Sequence, residues 1–321
     1  MNNRKMRFAA KRFVPGLASL MAVVLAPHVA WACACGCGVF DVGTGLELPQ
    51  GQGGMVFVDY DYQDQNHNWS GTSSAPNVNN DDKEIRTDFV TVGLQYMFDR
   101  SWGVQVEVPY DERYFKTTGG ASGSDIVALN WATLGDIRVE GIYTGFSLDM
   151  STGINFGFKL PTGDYTHNDA FGDVDRDTQL GTGSTDILLG GFHRGNLPGN
   201  NGLTWFAQAE LDLPVATRND YRPGIELDAA AGIYYKGWFL RSVKITPVAQ
   251  VIGSERTSDE GANAAHPIAS GYQRIMLSPG VEFGMHPVSV YADVEVPVFQ
   301  DFRGNQVVAP WLIKASMSYH F

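Results

Sequence analysis

The 321-residue sequence predicts an all-β fold, namely a transmembrane antiparallel up-and-down β-barrel of about 12 strands. Three observations predict this fold. Segments of about ten residues alternate between apolar and polar side chains, as strands with one lipid face and one lumen face do. Long and short connections alternate between these segments. Beyond the N-terminus, no window contains the ~18 uninterrupted apolar residues that a spanning helix needs, so the chain would cross a membrane with strands.

Residues 1–32 have the features of a secretory signal peptide. Basic residues at positions 4–12 precede an apolar run from Phe13 to Ala26, and Ala30-Trp31-Ala32 fits a small-residue cleavage site. We therefore predict export, with a mature chain that begins at Cys33. Removal of five of the 23 Lys and Arg leaves 18 against 35 Asp and Glu, a formal charge of −17. This charge argues against nucleic acid as a partner, because its phosphates would be repelled.

Residues 33–54 are a Gly-rich segment that we predict to be a periplasmic tail or plug. It contains the three cysteines of the chain, Cys33, Cys35 and Cys37. Three thiolates at this spacing on a flexible backbone can converge on a soft metal ion such as copper or zinc. The alternatives are lipidation of Cys33, disulfides with other chains, and no function. The sequence has no C-x-x-C-H motif for c-type haem.

Residues 55–321 form the predicted outer-membrane barrel. Its first strand, Met55–Tyr62, places Val56 and Val58 on one face and two carboxylates on the other. The same alternation predicts eleven further strands, which gives the even number that is usual in bacterial barrels. These strands are Glu84–Phe98, Gly103–Tyr110, Asp136–Tyr143, Ile154–Leu160, Asp186–His193, Leu203–Leu213, Ile225–Tyr235, Val243–Ile252, Tyr272–Met285, Val288–Phe299 and Pro310–Phe321.

The connections predict the orientation of the barrel. Outer-membrane barrels have long extracellular loops and short periplasmic turns. If the first strand rises from the periplasm, every long polar segment falls outside the cell. The predicted outer segments are 63–83, 114–131, 162–181, 214–224, 254–270 and 300–309.

The last strand predicts the membrane into which the protein is inserted. It ends on Phe321 after alternating apolar residues, and this pattern resembles the C-terminal signal by which bacterial outer-membrane proteins are recognised for insertion. The sequence therefore predicts a bacterial outer-membrane protein whose partners are the outer-membrane lipid and the assembly machinery.

The polar faces of the strands predict the lining of the lumen. A barrel of about twelve strands has a narrow or partly occluded lumen, because about eight strands are filled by side chains and 16 to 18 leave a channel. Acidic residues outnumber basic ones on the predicted inner face, which favours cations or neutral solutes. The histidines support no catalytic arrangement, so we do not predict an enzyme. The predicted lumen-lining residues are Asp59, Asp61, Glu107, Asp136, Arg138, Glu140, Lys159, Glu210, Asp212, Asp293, Glu295 and Lys314.

Two motifs carry a resemblance to a known family. Leu160-Pro161-Thr162-Gly163-Asp164, followed by the run LGTGSTDILLG at 180–190, resembles the outer-membrane barrel family named for the MetA pathway of phenol degradation. The resemblance implies a transporter-like barrel associated with the uptake of organic compounds. The predicted function is passive transport of a small solute, for which the resemblance implies an organic or aromatic compound. The alternatives are a metal-handling or redox-linked barrel that uses the CACGCG tail, and a structural barrel without transport.

The cysteine tail generates the first testable prediction. Because three exposed thiols in an oxidising periplasm tend to oxidise unless they are coordinated or paired, Cys33, Cys35 and Cys37 are expected to bind one soft metal ion. Titration of the mature protein with Cu(I), with a competing chelator present, measures this binding, and a triple Cys→Ser variant is the control. Equal binding by both proteins, or a mass that shows a diacylglyceryl group on Cys33, contradicts the prediction.

Overall fold

The structure is a computed structural model that describes residues 48–49, 51–77, 80–119, 125–168 and 172–321. The predicted signal peptide and Cys33, Cys35 and Cys37 lie outside the described residues. In the described residues the chain forms one sheet of sixteen strands. The strands are β1 (Gly53–Gln65), β2 (His67–Gly71), β3 (Ser73–Ser74), β4 (Asp82–Met97), β5 (Trp102–Gly119), β6 (Asp125–Leu134), β7 (Ile137–Tyr143), β8 (Thr152–Leu160), β9 (Thr185–Leu197), β10 (Asn200–Ala216), β11 (Glu226–Tyr235), β12 (Trp238–Leu240), β13 (Val243–Arg256), β14 (Tyr272–Met285), β15 (Val288–Val308) and β16 (Leu312–His320).

Twelve of these strands close into an antiparallel barrel. Around the ring the order is β1, β4, β5, β7, β8, β9, β10, β11, β13, β14, β15 and β16, and β16 pairs with β1 to close it. Each of the twelve predicted strands overlaps one strand of the ring. The predicted fold class is therefore confirmed.

The outer part of the wall is longer than the sequence predicts. Segments 63–83, 114–131 and 300–309 were predicted as loops, and this prediction is wrong for much of each segment. β5 continues to Gly119 and pairs with β6, whereas β15 continues to Val308 and pairs with β2. Outside the membrane both faces of a strand can be polar, so the alternation disappears although the backbone pairing continues.

The two faces of the wall differ in polarity as predicted. On β1, the outward side chains of Val56, Val58 and Tyr60 are exposed, whereas Asp59 and Asp61 are 1% and 4% exposed. Apolar side chains are exposed in the same way on the other strands of the ring, for example Val92 on β4 and Phe156 on β8. Such an extended apolar surface is unusual in soluble monomers and is expected where the wall contacts lipid.

Aromatic side chains cluster at both margins of this apolar belt. The end of the barrel with the short turns is called the periplasmic end, after the predicted orientation, and at this margin the rings of Trp102 and Tyr143 lie 4.7 Å apart. At the outer margin the rings of Tyr62 and Trp311 lie 5.8 Å apart. These are the positions at which membrane barrels carry aromatic girdles. Among the described residues, no helix has the length and apolarity to span a membrane.

The barrel closes at a seam between the two ends of the described chain. Gly54 and Phe321 exchange two backbone hydrogen bonds, of 2.8 and 2.9 Å. The ring of Phe321 covers Gly54, where an added Cβ would lie 2.3 Å from the ring. The absence of a side chain at Gly54 therefore makes room for the terminal aromatic ring.

Deletion of Phe321 is expected to reduce barrel assembly. It removes two seam hydrogen bonds, each of which contributes about 1 kcal/mol, together with the ring over Gly54. The measurement is the fraction of heat-modifiable barrel in outer-membrane preparations. Phe146→Ser is the control, since Phe146 is another exposed aromatic residue, in the connection between β7 and β8, which lies away from the seam in the ring. An equal loss in both variants would contradict a special role for the seam.

Candidate functional site

The predicted lumen-lining side chains lie on the inner side of the barrel, where they form separate groups. Eight of them are buried, and Arg138, Lys159, Glu210 and Asp212 are partly buried. The first group surrounds Arg138 and Lys159 on one side of the ring. The second group surrounds Lys314 and Asp293 near the seam. The buried residues are Asp59, Asp61, Glu107, Asp136, Glu140, Asp293, Glu295 and Lys314.

Arg138 is the centre of the first group. Its guanidinium contacts Glu210 through Nη2, and its Nε lies 3.8 Å from Oε2 of Glu107. Asn155 Nδ2 donates to Glu140 Oε1 at 3.0 Å and to Glu210 Oε2 at 2.9 Å. Glu107 and Arg138 face each other across β5 and β7, so strand register places these opposite charges together.

Lys159 forms a second ion-pair centre nearby. Its Nζ lies 2.6 Å from Oδ2 of both Asp186 and Asp212. Lys159 and Asp186 are register partners on β8 and β9. Because removing charges from water is costly, each of these charges requires a partner or a hydrogen bond inside the wall. Asp186 has no solvent-accessible side-chain surface, yet it was not among the predicted lumen residues.

The second group lies on the opposite side of the lumen. Lys314 Nζ lies 3.8 Å from Asp59 Oδ2, and Asp61 is the register partner of Lys314. Asp293 Oδ2 accepts hydrogen bonds from Ser278 Oγ at 2.6 Å and Tyr291 Oη at 2.8 Å. These contacts join β1, β14, β15 and β16 through their inner faces.

Arg138 and its carboxylate partners divide the lumen into cavities. An outer cavity of about 230 Å³ and an inner cavity of about 80 Å³ share Glu107, Arg138 and Glu210 as lining residues. A third cavity, of about 850 Å³, occupies the periplasmic mouth. The Arg138 group is therefore a constriction between the outer and inner cavities.

The chain segment before β1 enters the periplasmic end of the lumen. Leu48 and Pro49 line both the inner cavity and the periplasmic cavity. Arg194 Nη2 donates to the carbonyl of Pro49 at 2.8 Å, and Nη1 donates to the carbonyl of Leu48 at 3.3 Å. Leu48 also packs against an apolar cluster that includes Ile142 and Phe192. These contacts narrow the path between the two cavities.

The described parts of the connection between β8 and β9, residues 161–168 and 172–184, fold back into the outer end of the barrel and are called the inward-folded loop. Asp136 Oδ1 accepts from the backbone N–H of Gly163 at 2.9 Å, and Oδ2 accepts from the N–H and hydroxyl of Thr182 at 2.8 and 2.6 Å. Asp136 therefore anchors this inward-folded loop in addition to lining the cavity. Arg113 Nη1 donates to the carbonyl of Thr178 at 2.6 Å. The sequence analysis did not single out Arg113, because the strand was predicted to end at Tyr110.

A cation–π contact joins the inward-folded loop to the β10–β11 connection. The guanidinium of Arg176 lies 4.7 Å from the ring centres of both Tyr165 and Tyr221. Arg176 also donates to the carbonyl of Thr182 at 2.8 Å. No local sequence pattern links Tyr165 with Tyr221, so sequence reasoning missed this contact.

Asp82, Asp175 and His266 form an acidic cluster beyond the apolar belt. His266 Nε2 lies 3.5 Å from Asp175 Oδ2. Burial raises the pKa of Asp82 to about 7, and the charge of Asp175 adds to this effect. Burial alone would lower the pKa of His266, but hydrogen bonding to Asp175 and the charges of Asp175 and Asp82 raise it overall. Among the described residues, no group of His, Cys, Asp and Glu has an arrangement that could hold a metal ion.

No protein-family model and no curated protein sequence matches the chain. Among solved structures, it is similar to an outer membrane channel from Pseudomonas putida F1, with a TM-score of 0.63 and 10% sequence identity over 88% of this chain and 100% of that one. It is also similar to the β domain of the Bordetella autotransporter BrkA, with a TM-score of 0.51 and 13% identity over 84% of this chain and 100% of that one. The chain has the fold of a bacterial outer-membrane β-barrel.

The acidic cluster generates a prediction on pH. Because both pKa values are raised in the folded state, the stability that the cluster contributes is greatest at low pH. It is lost as pH rises through the raised pKa values, near 7 for Asp82. Hydrogen exchange of residues 257–271 is therefore expected to lose protection several-fold between pH 5 and pH 8, after correction for intrinsic exchange.

Asp82→Asn is the matched variant for this prediction. It keeps the size of the side chain but stays uncharged, so it should remove most of the pH dependence. Amides of strand β14 serve as an internal reference. If the exchange protection of residues 257–271 in the unmodified protein does not depend on pH, the prediction is contradicted.

Proposed function

We propose that the protein is a passive channel for a small solute in the bacterial outer membrane. The observation that carries the proposal is the series of cavities along the lumen, in which the outer and inner cavities share Glu107, Arg138 and Glu210. One group of side chains therefore lies at the boundary between two spaces of the lumen. The similarity to a solved outer membrane channel supports the same proposal through the fold.

The solute path runs through a narrow polar interior. From the periplasm it passes Leu48 and Pro49, then the Arg138 constriction, and then the inward-folded loop. All three obstacles are side chains or connecting segments, so a solute can pass when they move without any break in the strand pairing. Such a path favours small solutes over large ones.

The chemical class of the solute, the absence of enzymatic activity and any metal-handling role remain part of the proposal. The resemblance of Leu160–Asp164 and 180–190 to the MetA-pathway family supports an organic compound as solute. The proposal includes no enzymatic activity, because the sequence offers no defensible catalytic arrangement of histidines. A metal-handling role rests on Cys33, Cys35 and Cys37, and the copper titration tests it independently. Conductance separates a channel from a structural barrel.

Conductance through the purified protein in planar bilayers tests the proposal. We expect measurable conductance, and Arg138→Ala is expected to increase it about twofold or more because the constriction loses its central side chain. Removal of one partner from a buried ion pair is destabilising, so the double variant Arg138→Ala/Glu210→Ala provides a second test in which no unpaired Glu210 remains.

Arg86→Ala is the matched control for the conductance measurement. Arg86 is exposed, and the substitution removes the same charge from the outer extension of β4. Its conductance should equal that of the unmodified protein. If neither the unmodified protein nor the double variant conducts, the channel proposal is wrong and the structural-barrel alternative is favoured.

A further inference from the structure

The segment before β1 reaches a distant part of the barrel wall. β1 begins at Gly53, whereas Arg194, which donates to the carbonyls of Leu48 and Pro49, lies on β9. In the order of the ring β9 is five strands away from β1, so the two strands stand on nearly opposite sides of the barrel. Leu48 and Pro49, called the strap, therefore lie across the path between the inner and periplasmic cavities, both of which they line.

The inner face of β9 supplies both kinds of contact that hold the strap. Phe192 and Arg194 are two residues apart on this strand, so their side chains point to the same side of the wall. The side chain of Leu48 packs against an apolar cluster that contains Phe192. The guanidinium of Arg194 donates to the carbonyl of Pro49 at 2.8 Å and to that of Leu48 at 3.3 Å. The strap is therefore fixed by one apolar side chain and by two consecutive carbonyls.

The hydrogen bonds from Arg194 make the enclosed position of the strap favourable. Pro49 is buried, and because proline has no N–H group, its carbonyl is its only backbone polar group that needs a partner. Arg194 is a donor to this carbonyl. A buried carbonyl that loses its donor is unfavourable, and movement of the strap into water would restore a hydrogen bond to it. Loss of the Arg194 side chain is therefore expected to release the strap.

The residues between the strap and β1 provide a hinge. Gly51 and Gln52 are exposed, and a Cβ added at Gly51 would meet no atom within 4 Å. Gly53 has a φ of +120°, a conformation that glycine adopts without strain. Pairing of β1 with β4 begins at Gly53, which is the register partner of Met97. The strap can therefore move about Gly51 and Gln52 while the strand pairing stays intact.

We propose that the strap is an autoinhibitory element that restricts passage between the inner and periplasmic cavities, and that Arg194 holds it in place. This proposal rests on the proposed channel function and adds the regulation of the same lumen. Release of the strap joins the inner cavity of about 80 Å³ to the periplasmic cavity of about 850 Å³. Arg194 itself is not among the residues that line the three cavities. Its substitution therefore acts on the path through the strap and does not widen a cavity directly.

Thiol labelling of the full-length mature protein in detergent measures whether the strap restricts access to the inner cavity. The probe site is the thiol introduced by Gln208→Cys, because Gln208 lines the inner cavity but not the periplasmic one. Cys33, Cys35 and Cys37 are replaced by Ser in every variant, so that this thiol reacts alone. Arg194→Ala is expected to accelerate its reaction with a methanethiosulfonate reagent at least fivefold. Equal rates with and without Arg194→Ala overturn the proposal.

Arg100→Ala is the matched control for the labelling measurement. Arg100 also donates to a backbone carbonyl at the periplasmic end, that of Ser147 at 2.8 Å, and it lines none of the three cavities. Its substitution should leave the labelling rate unchanged, and an acceleration equal to that of Arg194→Ala overturns the proposal.

Arg194→Lys is a second test at the same position. It keeps the charge but lacks the planar fork that bonds two carbonyls together, so its labelling rate is expected to lie between those of the parent and Arg194→Ala. Heat-modifiable migration verifies that each variant is folded. If Arg194→Ala does not fold, Arg194→Lys replaces it, and a rate equal to that of the parent then overturns the proposal.

Labelling and conductance are separate measurements, so the two proposals can fail separately. In planar bilayers Arg194→Ala is expected to raise the conductance at least twofold over the unmodified protein. If the unmodified protein conducts but Arg194→Ala leaves the labelling rate or the conductance unchanged, the channel proposal stands and the autoinhibitory strap is wrong. If Arg194→Ala accelerates labelling but no variant conducts, restriction by the strap stands and the channel proposal is wrong.

Discussion

Closure of the backbone hydrogen bonds between β1 and β16 is the constraint on which the rest of the structure depends. Lipid offers no partner for an exposed N–H or C=O, so a sheet can cross a bilayer only when its two edges pair with each other. Here the edges meet over nine register pairs, from Met55 with His320 to Gln63 with Leu312, and the exchange between Gly54 and Phe321 extends the seam. Once the ring is closed, successive side chains along a strand must face lipid and lumen in turn.

This alternation explains the chemistry of the interior. A closed ring of twelve strands has too little space for bulk water around every inward charge, so those charges must find partners across neighbouring strands. Register supplies these partners directly in the pairs Glu107 with Arg138, Lys159 with Asp186, and Asp61 with Lys314. The same ion pairs narrow the lumen, because a side chain that is held by carboxylates from several strands must extend into the centre. Stability of the wall and the width of the lumen therefore depend on the same residues.

The sequence predicted the strands of the wall well and the fold of the connections poorly, for a physical reason. Two-residue alternation is a local signal, so the twelve membrane strands could be located and the inward faces assigned. The outer extensions of β5 and β15 could not, since water on both faces removes the alternation. Contacts between distant connections, such as Arg176 with Tyr165 and Tyr221, leave no periodic signal at all.

The inward-folded loop shows that a close backbone contact can require particular residues in a short motif. The periodicity of the sequence does not reveal such a requirement. Gly163 and Gly181 approach so closely that a Cβ added to Gly181 would lie 2.4 Å from the backbone of Gly163. Only glycine at both positions allows the two ends of the loop to meet, and this contact holds the N–H groups of Gly163 and Thr182 where the carboxylate of Asp136 can accept from both. Asp136 itself lies at the break between β6 and β7, where the wall stops its regular pairing. The motifs at 160–164 and 180–190 therefore encode a loop that is folded into the lumen, where its residues line and narrow the outer cavity.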